Sequence, residues 1–165
     1  MYKRIVVPLD GSELAEQVLP TVIELANCTG AEISLLRVPE FPVFEYLMPP
    51  PEVGRTLQEQ ARDEARQYLD RLATNLRESG LRVRTQVVVD DAVYSTILSI
   101  AQESGADLIA MSTHGRTGLA RMVMGSVADD VVRHTDLPVL LVRPQPVSDP
   151  LSAHFDTAYK PLPVN

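Results

Sequence analysis

The stretch Met111–Ser126, MSTHGRTGLARMVMGS, leaves one apolar run and leads into a helical pattern, so it reads as the passage from a strand into a helix. The start of a helix carries N–H groups with no intrahelical acceptor, and the aligned peptide dipoles add partial positive charge, so anions settle there. Gly125 lets the backbone approach a ligand closely, and the Ser126 hydroxyl can either cap the helix or bond a ligand oxygen. Gly115 and Gly118 add turns. Arg116 and Arg121 offer cations to phosphate or stand as solvated surface, and His114 can polarise a phosphate or brace the loop. The stretch therefore points to a nucleotide site, with a plain surface loop ahead of a capped helix as the competing reading.

Outward from this stretch, strand and helix patterns alternate. Arg4–Leu9 is apolar and branched and ends at Asp10-Gly11-Ser12, a turn and helix cap; the helix runs to about Cys28 and stops at Thr29-Gly30. Glu32–Val38 is the second strand, followed by proline-rich EFPVFEYLMPPP. Leu57, Ala61, Ala65, Tyr68, Leu69, Leu72 and Leu76 recur at helical spacing within Glu52–Glu78, a long amphipathic helix. Leu81–Val89 gives the third strand, Asp91 caps a helix through Glu103, and Ala106–Met111 is the fourth strand. Beyond Ser126, Val127, Val131 and Val132 form a helical stripe, and Leu137–Arg143 is the fifth strand. Nearly continuous apolar strands separated by helices predict a parallel sheet covered on both faces, an α/β doubly wound fold.

The 165 residues make one domain, 1–144, with an insertion at 40–51 and a tail at 145–165 that holds four prolines and no periodicity. A net charge of −7 and only two lysines, Lys3 and Lys160, exclude a nucleic-acid surface. The lone Cys28 reads as a buried small hydrophobe in a reducing compartment. With no long apolar segment or cleavage signal, no membrane partner is expected and the location expected is cytoplasmic. No G-x4-G-K-[ST] and no G-x-G-x-x-G occurs, so neither a P-loop ATPase nor a Rossmann dehydrogenase is supported, and Ser112 and Ser126 lack the elbow of a catalytic serine.

In open parallel sheets ligands bind beyond the carboxyl ends of the strands, where the winding reverses. Asp10 and Ser112–Gly118 both lie at such ends. If strands one and four are neighbours, the Asp10 carboxylate faces the glycine loop and suits a ribose hydroxyl, an amine or a metal; its alternative role is turn and cap chemistry.

KRIVVPLDGSELAEQ, ADLIAMSTHGRTGLARMVMGSVADDVVRH and LPVLLVRP resemble the universal stress protein family, over roughly Met1–Pro144. That family's ATP-binding branch carries G-x2-G-x9-G-[ST]; this chain reads S-x2-G-x9-G-S, with Ser112, Gly115, Gly125 and Ser126 at the matching positions and Gly118 inside the spacer. Ser112 in place of glycine either crowds the ligand or adds a hydrogen bond. The resemblance implies an adenine nucleotide alpha hydrolase-like fold, an open five-stranded parallel sheet of order 3-2-1-4-5. It implies that Pro8, Leu9 and Asp10 border the adenosine and that the Val38 backbone meets the adenine edge. His114, Gly115, Arg116 and Gly118 would line the ribose and phosphate path, and Gly125, Ser126 and Val127 would hold the phosphates of ATP, ADP or AMP, with Mg²⁺ neutralising them.

Leu137–Arg143, an apolar edge, invites a second chain, and the resemblance implies a homodimer through it; a proline at Leu140 is the expected way to break it. The insertion at Phe41–Pro51 is expected to cover the nucleotide with Phe44, Tyr46 and Leu47. The function expected is a dimeric, ATP-binding stress-response regulator whose occupancy is the signal. The alternatives are a slow ATPase or phosphotransferase, and a nucleotide-free scaffold of the same fold.

Overall fold

Ile5, Val6 and Val7, three successive residues with no exposed surface, occupy the middle of β1 (Arg4–Pro8), and only a central strand covered on both faces buries such a run. The computed structural model describes residues 1–40, 51–113 and 124–144. The strands β2 (Glu32–Arg37), β3 (Val83–Val87), β4 (Leu108–Ser112) and β5 (Val139–Val142) join β1 in one parallel sheet of order β3-β2-β1-β4-β5, the order the family resemblance implied. The helices are α1 (Glu13–Glu16), α2 (Leu19–Thr29), α3 (Pro51–Glu78), α4 (Val93–Glu103) and α5 (Ser126–His134).

Side chains alternate across a strand, so the sheet divides its apolar residues between two cores. Ile5, Val7, Ile33 and Leu35 pack with Val22 and Ala26 of α2 and Leu69, Ala73 and Leu76 of α3. Val6, Leu36, Ile109 and Met111 pack on the other face with Ile97, Ile100 and Ala101 of α4 and Ala128 and Val131 of α5.

Several local readings change. The first helix is two helices, because Pro20, second in α2, has no N–H to give the Glu16 carbonyl and its ring crowds that carbonyl. Gly30 then closes α2 at φ +70°, where its N–H donates to the Ala26 carbonyl at 2.8 Å. Cys28 is exposed rather than buried: α2 turns Leu19, Val22 and Ala26 inward, and two residues past Ala26 is the opposite side. Val132 is likewise 39% exposed, while Val131 is buried. The start of α4 is held by Asp90 and not, as expected, by an Asp91 cap. Asp90 accepts from the Ala92 N–H at 2.9 Å and the Thr96 hydroxyl at 2.8 Å, and the cap position itself is Ala92. These bonds hold the Asp90 carboxyl below its ordinary range, so its support of α4 is full above that range and is lost as pH falls to the lowered value.

Leu69 is completely buried in the first core, so Leu69→Ala is expected to lower unfolding free energy by about 2–5 kcal/mol. Cys28→Ser is expected to change it by less than about 0.5 kcal/mol. Urea midpoints at constant m-value measure both, and a large loss on Cys28→Ser would contradict the exposed placement.

Candidate functional site

The winding reverses between β1 and β4, which pair through Ile5–Leu108 and Val6–Ile109, and a cavity of about 420 Å³ opens above their carboxyl ends. Eight of the candidate site residues named from the sequence line it together: Pro8 at the end of β1 with Leu9 and Asp10 after it, Val38 after β2, Ser112 at the end of β4, and Gly125, Ser126 and Val127 at the start of α5. His114, Gly115, Arg116, Gly118 and Arg121 lie outside the described residues, as do the 41–50 stretch and the tail.

The start of α5 presents backbone N–H groups that have no intrahelical acceptor. The first intrahelical bond runs from the Asp129 N–H to the Gly125 carbonyl at 2.9 Å, so the N–H groups of Ser126, Val127 and Ala128 precede the helical ladder. Gly125 is the cap residue and has no side chain to satisfy them, while Ser126 is the first helical residue rather than the cap expected. The Gly125 N–H itself donates to the Thr113 carbonyl at 2.7 Å, which leaves the amides after it, not its own, to meet a ligand. That bond also joins the two ends of the glycine-rich stretch.

Asp10 takes the turn role weighed for it and also stands on the cavity lining. Its Oδ1 accepts from the Ser12 N–H at 2.9 Å and the Ser12 hydroxyl at 2.6 Å, and the Ser12 oxygen in turn caps α1 by accepting from the Ala15 N–H at 3.1 Å. This is turn chemistry, and the same residue borders the cavity.

Two contributions escaped the sequence reading. The 28 residues of α3 span about 42 Å. The five-residue β3 beneath spans only about 17 Å. The amino-terminal half of α3 therefore overhangs the carboxyl edge of the sheet, where Ala61 and Glu64 form a wall. Arg37, the last residue of β2, is the only cation among the described lining residues; it stacks over the Tyr68 ring with its Cζ 5.0 Å from the centroid. A single charge closing the apolar run ISLLRV was the available signal. The Tyr68 hydroxyl donates to Glu16 Oε1 at 2.9 Å, and burial first, then this bond, raise its pKa well above the ordinary phenol range.

Among the described residues no three His, Cys, Asp or Glu side chains are grouped to hold a metal ion, and no helix is long and apolar enough to cross a membrane.

The universal stress protein family model matches residues 1–143. Universal stress protein MJ0531 of Methanocaldococcus jannaschii is 31% identical over 143 residues, covering 87% of this chain and 83% of the relative. The solved structure of MJ0577 from the same organism superposes with a TM-score of 0.79 at 30% identity, covering 88% of this chain and 99% of that one. A family protein of Arabidopsis thaliana, solved with AMP bound, shares the fold at a TM-score of 0.62 and 17% identity, over 87% of this chain and 92% of that one. The chain belongs to the universal stress protein family.

Proposed function

We propose that this member of the universal stress protein family binds an adenine nucleotide in the cavity above β1 and β4, and that occupancy of the site by ATP with Mg²⁺ is the regulatory signal in a stress response. One observation carries the reading: the first turn of α5, Asp10 and Val38 face a single cavity of about 420 Å³ at the switch point of the sheet. That volume suits a small-molecule site. The amides of Ser126 and Val127 supply the phosphate end, and Asp10 and Val38 the ribose and base end. The AMP bound to the Arabidopsis relative, which shares this fold, supports the adenine nucleotide. With no metal cage among the described residues, Mg²⁺ would be held by the phosphates and water. Binding rather than turnover is favoured because the described lining contains no lysine and Asp10 Oδ1 already holds Ser12.

The same reading makes the protein a homodimer through β5. Both edges of the sheet are strands with one neighbour, but β3 carries Arg84 in an ion pair with Glu32, whereas β5 is VLLV and carries no charge. The Pro138 carbonyl accepts from the Ile109 N–H at 3.1 Å and the Val142 carbonyl from the Thr113 N–H at 2.9 Å. Even-numbered residues of β5 thus face β4 and odd-numbered ones face outward. Leu140, expected to be the edge-breaking position, belongs to the inner ladder, and Val139 is the proper site.

Ser126→Asp places an acid where helix starts favour one and where a phosphate does not, so the fold is kept while ATP affinity is expected to fall at least tenfold in titration calorimetry. ATP, ADP and AMP, each with and without Mg²⁺, complete the measurement. Equal affinity in wild type and variant would remove the phosphate placement, and no binding by the wild type would leave the nucleotide-free scaffold. Val139→Pro is expected to yield monomers in sedimentation velocity with an unchanged far-UV spectrum, and a persistent dimer would refute the β5 interface.

A further inference from the structure

Around Arg37, on the cavity lining, runs a chain of contacts that joins β2 to the turn after β1. Gly11, in the turn after β1, has φ +83°, a conformation that side chains rarely adopt. A Cβ there would also overlap the Arg37 guanidinium, whose Cζ would stand only 2.9 Å from it. The guanidinium therefore lies directly on the Gly11 backbone. The same guanidinium lies over the Tyr68 ring, and Tyr68 is tied by its hydroxyl to Glu16 of α1. Three elements, β2, α3 and the β1–α1 turn, thus meet at one planar cation, and α1 joins them through the Tyr68–Glu16 bond. The electrostatics agree with this packing: the Tyr68 hydroxyl feels the charges of Glu16, Arg37 and Asp10 together.

We propose that Arg37 is a positioning residue: held between the Gly11 backbone and the Tyr68 ring, its guanidinium fixes the Asp10–Ser12 turn that presents the Asp10 carboxylate to the ligand's ribose, and so sets a preference for a ribonucleotide over its 2′-deoxy analogue. The proposal rests on the nucleotide reading for its ligand, but the turn itself is observable without one. The reporter is the Ser12 N–H, which donates to Asp10 Oδ1 at 2.9 Å only while the turn is formed. A planar, always charged guanidinium can lie flat on an aromatic face in a way that an ammonium does not, so the contact with Tyr68 asks for arginine in particular. Tyr68→Phe keeps the ring and removes only the bond to Glu16.

Amide hydrogen exchange on the ligand-free protein is the first test. Arg37→Ala is expected to lower Ser12 protection at least tenfold and leave the β1 and β2 core amides unchanged; Arg37→Lys is expected not to restore it, and Tyr68→Phe to keep most of it. Calorimetry with ATP and 2′-deoxy-ATP is the second. One ribose hydrogen bond corresponds to a preference of about tenfold in the wild type. Arg37→Ala and Asp10→Asn are each expected to reduce that preference to about one, and the double variant to reduce it no further. Unchanged Ser12 protection in Arg37→Ala overturns the proposal. So does equal weakening of both nucleotides with Ser12 unaffected, which would make Arg37 a direct ligand contact. Failure of the wild type to bind either nucleotide refutes the nucleotide reading and with it the ribose preference, while the exchange result still decides whether Arg37 holds the turn.

Discussion

The handedness of crossovers between parallel strands is the constraint from which the site follows. A strand–helix–strand unit is right-handed, so a chain that adds strands in one direction stacks its helices on one face and must use the other face when it turns back. Here β1, β2 and β3 are laid outward with α2 and α3 on the face of Ile5 and Val7. The chain then returns to the far side of β1, and α4 and α5 cover the face of Val6. Connections from β1 and β4 consequently leave in opposite directions, and the space between them is not filled by either set of helices. Strands stand about 4.8 Å apart, so Val38 after β2 and the start of α5 after β4 face each other across roughly 10 Å. The cleft is thus a product of the winding, and the start of α5 furnishes one of its walls.

Electrostatics then limit what that cleft can hold. The overall charge of −7 has little reach, because at physiological ionic strength exposed charges are screened beyond about 8 Å. The local balance matters more. Asp10, Glu40 and Glu64 border the cavity, and against them stand Arg37 and the start of α5, worth about half a positive charge. Among the described lining residues this balance, three carboxylates to one guanidinium and a helix start, favours a phosphate that carries its metal over a bare one. On the proposed reading the metal carried by the phosphates is therefore as much a part of recognition as the amides are.

Much of this was legible in the sequence, and the failures share a cause. Nearly continuous apolar runs located the five strands and a 3.6-residue period the long helix, because β1, β2 and β4 are buried on both faces while α3 is buried on one. The order of the strands came from the resemblance of three segments to a family and not from any pattern. Errors arose where one atom overrode a pattern: the missing N–H of Pro20 split a helix, and Asp90 rather than its neighbour Asp91 supports α4. Cys28 was assigned by residue type when its helix angle decided its exposure. In the site, Asp10, Gly125 and Ser126 could be named because they follow a strand or open a helix, whereas Pro8, Val38 and Val127 came from the family resemblance. Arg37 and Tyr68 could not be named, since their contact joins residues 31 apart and the Tyr68 bond to Glu16 spans 52.

Thr113 connects the two ends of the functional proposal. Its carbonyl accepts from Gly125, immediately before the amides assigned to phosphate, and its N–H donates to the carbonyl of Val142, the last residue of the proposed dimer edge. One peptide unit on each side of a single residue thus lies between the nucleotide cavity and the strand that would meet a second copy. A ligand can shift an equilibrium only by its differential affinity for the states concerned, and here the two states would differ in how Thr113 is held. On the proposed reading, phosphate bound at α5 would bear on the Gly125 bond, which shares Thr113 with the last bond of the β4–β5 ladder, so the site and the edge strand are joined through one residue.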